Sequence, residues 1–399
     1  MNSVVFVLIP CHNNKGDVLS LLGYLERQTY PHGRVVLVDD GSTDGTEDAV
    51  RGEFPQVTIL KGSGALWWTG ANALGVDYIV PRAQTSDFIL LLNNDLVVES
   101  DYIQRLVEAS ATFGRAIVGS TLYDFHSRRF VEAGIILDRR LNASINRDYD
   151  VVARKDGDDD VSVLPGRGTL IPMEVFSRIG NFNSRRLPHY GADYEFTVRA
   201  KRAGFRLIVS HRARVYAKLE ITGLACPSGR LISLKECREI LFSKKSTANI
   251  VYYLTYVWLC SERKWRLRNT ITSAATILSS TVGQTIPGGI VKFFFSPIRM
   301  FFRKPYVFLF RSYPLRYSDI VQLRGVPREL VRMGILSEYH AKGTTFFMLN
   351  EVTDDRLGGC PDETVQRIAR LRTLAFSFRH KIEIHWERAR NLVLKYRQA

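Results

Sequence analysis

The run Phe88-Ile89-Leu90-Leu91-Leu92, ending in Asn93-Asn94-Asp95, constrains this chain more than any other stretch. An apolar run without alternation describes a strand covered on both faces, as in a parallel sheet between layers of helices. Ligands of open α/β sheets collect just beyond the carboxyl ends of such strands. A polar triplet ending in Asp at that point is placed to hold a divalent cation against a diphosphate. Asn and Asp also simply end strands and begin turns, so the triplet takes its meaning from its surroundings.

Those surroundings alternate strand and helix through the first 220 residues. Residues 4–9 read as a strand, and 15–28 carry Val18, Leu21, Leu22 and Leu25 at helical spacing. Residues 35–38 are a second strand, leading into Asp39-Asp40-Gly41-Ser42-Thr43-Asp44-Gly45. There Ser42, Thr43 or Asp44 caps a helix through 48–51. A strand at 57–60, a helix at 70–80 and the strand 88–92 follow. Repetition at this interval implies a right-handed parallel sheet with helices on both faces. The acidic stretch 156–160 reads as a surface loop.

Candidate ligand-binding residues gather at these strand ends. A carboxylate of Asp39 or Asp40 is placed to accept hydrogen bonds from a base or ribose. Lys61-Gly62-Ser63-Gly64 and Gly70-Ala71-Asn72 bracket Trp67-Trp68 just before a helix. Glycines there let backbone N–H groups approach a phosphate, and a helix N-terminus favours the anion. The tryptophans suit a core equally well.

Four ordered blocks resemble family 2 glycosyltransferases of the GT-A fold, over roughly residues 3–222. They are Val38-Asp39-Asp40-Gly41-Ser42-Thr43-Asp44-Gly45-Thr46; Leu91-Leu92-Asn93-Asn94-Asp95; Pro165-Gly166-Arg167-Gly168-Thr169-Leu170-Ile171-Pro172, with Val175-Phe176 and Ile179-Gly180-Asn181-Phe182; and Tyr190-Gly191-Ala192-Asp193-Tyr194-Glu195-Phe196, leading to Arg199-Ala200. The resemblance implies an α/β, Rossmann-like domain with a mostly parallel sheet. It also implies an inverting enzyme of rhamnosyltransferase-like type, moving a sugar from a nucleoside-diphosphate donor to an acceptor hydroxyl. On that resemblance Asp95 matches the Mg²⁺- or Mn²⁺-binding Asp, with Asn93 as the weaker first member of the motif. Asp39 matches the nucleotide-contacting acid, with Asp40 beside it. Pro10, His12, Lys61, Gly70, Asn72, Asn94 and Gly168 complete the expected nucleotide-sugar contacts. Asp193 matches the catalytic base, and His189 and Tyr190 are expected to shape the acceptor pocket.

Two departures stand out. The family often has Glu-Asp where this chain has Ala192-Asp193. Many relatives place a metal-binding His where Tyr216 runs into Ala217-Lys218, so the ion rests on Asp95, water and the diphosphate, or Lys218 supplies part of the charge. Glu195 is expected to pair with Arg199, one helical turn on, rather than to act in chemistry.

Charge divides the chain. Residues 1–220 hold 26 Lys and Arg against 27 Asp and Glu, whereas 221–399 hold 29 against 13. A near-neutral module for chemistry and a basic one facing an anionic surface are expected. The domain reading is 1–222 for sugar transfer, 223–312 for a basic, aromatic, membrane-associated helical region, and 313–399 for a C-terminal helical region. Residues 246–261 are uncharged but only 16 long, short of a spanning helix. Residues 269–291, also uncharged, are too polar to sit in hydrocarbon. Phe293-Phe294-Phe295, Phe301-Phe302 and residues 306–310 are interleaved with Lys292, Arg299, Arg303, Lys304 and Arg311, which suits an anionic leaflet. Single-stranded nucleic acid is the weaker partner for that pattern. Residues 361–395 read as one long helix with acids first and bases last.

The five cysteines, without a CxxC pair, point to a reducing compartment. The first ten residues read as a strand rather than a signal peptide. The expected place is thus the cytoplasmic face of a membrane, and the expected acceptor a glycan or lipid-linked sugar in cell-surface polysaccharide or glycolipid synthesis. A nucleotidyltransferase making the sugar nucleotide and a non-catalytic GT-A scaffold are the alternatives. The first lacks its usual Gly-rich basic loop, since Pro10-Cys11-His12-Asn13-Asn14 follows the first strand.

Overall fold

The computed structural model describes residues 3–138, 143–146, 157–218, 231–285, 315–316, 336–341 and 344–349. The basic–aromatic run 292–311, the helix expected over 361–395, Asp156, Cys226 and Cys360 lie outside the described residues. Residues 1–291 form one compact unit and 292–399 a second.

The first unit begins β1 (Val5–Cys11), α1 (Lys15–Glu26), β2 (Gly33–Asp39), α2 (Thr46–Glu53), β3 (Thr58–Lys61), α3 (Trp67–Ile79) and β4 (Phe88–Leu91). It continues with β5 (Leu96–Val98), α4 (Tyr102–Thr112), β6 (Ile117–Asp124), β7 (Phe130–Glu132), β8 (Ile135–Asp138) and β9 (Ala143–Asn146). Then come β10 (Asp158–Asp160), β11 (Thr169–Pro172), α5 (Met173–Ile179), α6 (Ala192–Arg202) and β12 (Leu207–Ala217). Three helices close the unit: α7 (Leu234–Phe242), α8 (Ile250–Cys260) and α9 (Arg266–Thr281).

The main sheet runs β10-β12-β6-β11-β4-β1-β2-β3. The four strands read from sequence, β3-β2-β1-β4, are mutually parallel. Beyond β4 the sheet is mixed: β11 lies antiparallel between β4 and β6, and β12 runs parallel to β6. Alternate residues of each central strand enter different cores. Val7, Ile9, Leu37 and Leu90 pack with Leu21, Leu22, Tyr102 and Leu106 of α1 and α4. Leu8, Val36, Val38, Ile89 and Leu91 pack with Val76, Ile79, Phe176 and Phe196 of α3, α5 and α6. Two buried faces are why residues 88–92 carry no polar alternation.

Several expectations are corrected. Helix α3 starts at Trp67, so both tryptophans lie in its first turn rather than ahead of it. Asp158–Asp160 is an edge strand antiparallel to β12, not a loop, held by Arg206 on Asp160 at 2.9 Å and His211 on Asp159 at 3.1 Å. His211 lies within β12, where the register on β6 shifts between Ser210 and Arg214. In the second unit the described residues are strands, β13 (Leu315–Arg316), β14 (Leu336–Ala341) and β15 (Thr344–Leu349), in the antiparallel order β13-β15-β14. Thr and Phe in β15 favour a strand over the helix expected there.

Candidate active site

The parallel strands β1, β2 and β4 deliver their carboxyl ends to one edge, with Cys11 opposite Asp39 and Asp39 opposite Lys61. Asp39 is buried and accepts one hydrogen bond, from the Ser42 N–H at 2.8 Å. Beside it the Cys11 thiol is pushed up to about 12, by burial first and then by the Asp39 charge. Asp40 differs. Its Oδ1 accepts from the Gly64 N–H at 2.7 Å, and its Oδ2 from the N–H groups of Leu66 at 2.8 Å and Trp67 at 3.0 Å. The loop amides expected to face a phosphate thus converge on Asp40. Gly62 packs so tightly there that a Cβ would stand 2.5 Å from Asp40 Oδ1. His12 Nδ1–H donates to the Asp40 carbonyl at 2.7 Å, and Pro10 lies inside β1. Lys61 pairs with Glu47 of α2 at 2.9 Å, with its side chain 70% exposed.

Beyond β4, Asn93 Oδ1 accepts from the Trp68 indole N–H at 3.0 Å. Asn94 is partly buried next to it. Asp95 Oδ1 is a buried oxygen without a hydrogen-bond partner. Burial pushes the Asp95 carboxyl above its ordinary range; Asp17 adds to that, while Arg167 and Lys218 favour the charge. Lys218 itself pairs with Asp17 of α1 at 2.6 Å. Gly70 sits in the first turn of α3, and Asn72 is fully buried on that helix, its Nδ2 donating to the Trp68 carbonyl at 2.8 Å. Among the described residues no three His, Cys, Asp or Glu side chains gather as a metal cage. The partnerless oxygen of Asp95 fits one bond to a hard cation whose other ligands are water and phosphate oxygens.

Gly168 occupies φ +77°, and a Cβ there would meet the Tyr102 hydroxyl at 2.6 Å, so glycine is required. Its N–H donates to the Leu91 carbonyl at 2.9 Å, pinning the turn over β4. The Gly166 N–H donates to Asp193 Oδ2 at 2.8 Å, and Asp193 Oδ1 accepts from the Tyr194 N–H at 2.9 Å. Asp193 opens α6. Burial raises its carboxyl, and these two amides and Arg167 work against the rise. Glu195 pairs with Arg199 at 3.0 Å as expected, and Arg199 ties α6 to the carbonyls of Ile179 and Asn181.

His189 lies between the rings of Trp67 and Tyr190, at centroid distances of 5.3 and 4.2 Å. Burial lowers the His189 imidazole to about 4, and its Nδ1 is buried without a partner. Lys244 stands 6.0 Å over Trp67. Helix α8 flanks α6: Tyr256 lies 6.2 Å from Tyr194, and Arg202 of α6 donates to the carbonyls of Leu259, Cys260 and Ser261.

The sequence reading assigned nothing to Arg167, Glu132 or Tyr256, and gave Trp68 no hydrogen-bonding role. Arg167 lay inside a motif block, and Glu132 interrupts the apolar surroundings Phe130-Val131 and Ala133, which was the available signal. No short-range pattern marks Tyr256, which reaches the site only through tertiary packing.

The model of the family Glycosyl transferase family 2 matches residues 6–180. Succinoglycan biosynthesis protein ExoA of Rhizobium meliloti is 23% identical over 205 residues, covering 50% of this chain and 59% of that protein. Glycosyltransferase AglE of Haloferax volcanii is 24% identical over 216 residues, covering 52% and 64% respectively. The chain therefore spans less than two thirds of either relative. Mannosyltransferase PcManGT from Pyrobaculum calidifontis, solved with GDP-Man and Mn²⁺, aligns at TM-score 0.40 and 16% identity over 76% of this chain and 81% of that one.

Proposed function

We propose, on the premise that residues 6–180 belong to glycosyl transferase family 2, that this chain is a GT-A hexosyltransferase acting with inversion. It moves a sugar from a nucleoside-diphosphate donor to the hydroxyl of a glycan or lipid-linked acceptor. The observation that carries this reading is the buried, partnerless Oδ1 of Asp95 just beyond β4, an oxygen that a cation carrying a diphosphate would satisfy. Displacement at an anomeric carbon also demands a base, the role this reading gives to buried Asp193.

In this reading Asp39 receives the nucleotide at the end of β2, and Asp40 holds the loop 62–67 in shape by its three amide contacts. Asp95 would hold Mg²⁺ or Mn²⁺, which would supply positive charge to the diphosphate leaving group. Lys218, anchored by Asp17, adds to that charge. Asp193 takes the acceptor's proton, and its burial makes it a stronger base than a solvated carboxylate. Trp67, His189 and Tyr190 offer ring faces to the acceptor sugar.

The acceptor belongs to cell-surface polysaccharide or glycolipid assembly, in keeping with the succinoglycan role in the name of one relative. Among the described residues no helix is long and apolar enough to cross a membrane. Trp258, Leu267 and Ile271 of α8 and α9 are exposed, with Arg266 stacked 5.2 Å over Trp258. Such a face suits peripheral contact with an anionic leaflet on the cytoplasmic side. Loss of binding to anionic liposomes at low salt would remove this part of the proposal.

The test is release of nucleoside diphosphate from a panel of sugar nucleotides, with Mg²⁺, Mn²⁺ or EDTA, with and without a membrane extract as acceptor. Metal-dependent release from one donor, rising with the extract, is expected. Silence across the panel from folded protein would overturn the reading.

A further inference from the structure

Glu132 is a buried carboxylate that the proposed transfer leaves unused. It ends β7 with 7% of its surface exposed. Its Oε2 lies 3.6 Å from Arg167 Nη2, and its Oε1 accepts from the Tyr194 hydroxyl at 3.4 Å. Arg167 directly follows Gly166, whose N–H donates to Asp193 Oδ2 at 2.8 Å. The Arg167 guanidinium thus pairs with Glu132 while the backbone next to it holds Asp193.

An arginine closed bidentately over Asp193 would weaken it as a base and obstruct the approach of a hydroxyl. We propose that Glu132 is a positioning residue for the base: it retains the Arg167 guanidinium on its own carboxylate and keeps it from closing over Asp193. This inference rests on the transferase reading for its consequence, though not for its measurement.

The ionisable groups acting on Asp193 come from three elements: Arg167 from the turn before β11, Glu132 from β7 and Tyr194 from α6 itself, with Tyr256 of α8 packed against Tyr194. Burial raises the carboxyl of Glu132 first; the Asp193 charge raises it further, and Arg167 opposes both. Such coupling is reciprocal, so a charged Glu132 also raises the proton affinity of Asp193. A neutral residue in its place removes that repulsion and releases the Arg167 guanidinium towards Asp193 and Asp95, the other carboxylates its charge favours. Both changes act in the same direction. Tyr194 keeps its hydrogen bond when Gln replaces Glu132, because the amide oxygen still accepts.

The experiment titrates the full chain labelled with ¹³Cγ-aspartate. The Asp193 resonance is assigned by its loss in Asp193→Asn, and its midpoint is compared in Glu132→Gln and Arg167→Gln. Glu132→Gln should lower the midpoint by about 1 pH unit, a tenfold loss of proton affinity. Arg167→Gln should raise it. A midpoint unmoved or raised in Glu132→Gln overturns the proposal. If that variant does not fold, a midpoint that fails to rise in Arg167→Gln overturns it equally. In turnover assays the acidic limb of kcat/KM should follow the Glu132→Gln shift while donor affinity holds. A wild-type chain with no turnover would sink the transferase reading and leave the resonance midpoints to judge Glu132.

Discussion

The turn after β2 and the turn after β4 leave the same edge of one sheet, carrying Asp40 and Asp95 into opposite surroundings. Asp40 is met by three backbone amides within 3.0 Å. Asp95 keeps a buried oxygen with no partner at all. A carboxylate saturated by its own chain shapes a loop, whereas one desolvated without a partner is held ready for something brought from outside. Asp193 lies between these cases, with one amide on each oxygen and Arg167 nearby. The same contrast separates groups that build the site from groups that act in it, and substitutions can test that line directly.

The largest expected effect falls on Asp193. Asp193→Asn should lower turnover by about 10²- to 10⁴-fold, the usual weight of a general base. Donor affinity, read by calorimetric titration of nucleoside diphosphate, should stay within about twofold, since no donor group is assigned to Asp193. An equal fall in affinity would move Asp193 from the acting groups to the building ones. Asp40→Ala should do the reverse. It leaves three amides of the 62–67 loop without their acceptor, for a loss of about 3 kcal/mol. Urea unfolding should show an earlier midpoint at unchanged slope. Stability close to wild type would mean that the loop finds other acceptors and that Asp40 is not its organiser.

His189 and Asp95 are both desolvated without a full set of partners, yet their pH effects have opposite signs. Burial holds the His189 imidazole near 4 in the fold, against 6.5 for the free side chain. The unfolded chain therefore binds the proton first as pH falls. The fold keeps its full stability above about pH 6.5 and loses about 2 kcal/mol through this group by pH 5. His189→Gln should flatten the thermal midpoint between pH 6.5 and 4. An unchanged slope would show that His189 stays solvated and is free to hydrogen-bond an acceptor.

How much of this was legible in the sequence follows the same division. The parallel half of the sheet was readable because each strand is local and apolar, and four parallel strands bring Asp39, Asp40 and Asp95 to one edge by topology alone. The Gly166–Gly168 turn and Asp193 were readable as motif blocks. Unreadable were the reversal at β11, the strand at Asp158–Asp160 and the contacts of Tyr256, because long-range pairing overrides local propensity. The loop glycines were visible, but not their orientation. Amides that a sequence offers to a phosphate are indistinguishable from amides that close on Asp40. Glu132 was visible only as an acid among apolar neighbours, and its role depends on Arg167, which lies 35 positions away.

The smallest expected effect is the sharpest test of the contrast between Asp40 and Asp95. Burial raises the Asp95 carboxyl above its unfolded value, so the folded chain holds that proton longer as pH rises. The sign is opposite to that of His189: stability is fully present below the unfolded value and is lost as pH rises through the folded one. Asp95→Asn removes this penalty and should raise the thermal midpoint of the metal-free protein at pH 7, a gain that fades as the pH falls below the unfolded carboxyl's range. Adding Mn²⁺ with nucleoside diphosphate should raise the wild-type thermal midpoint but not that of the variant, because ligand binding stabilises only a fold that retains the ligand's site. A variant less stable than wild type without metal would place Asp95 with Asp40, as a residue the fold needs for itself. A variant still stabilised by Mn²⁺ with the diphosphate would leave Lys218 and Arg167 as the groups that hold the leaving group.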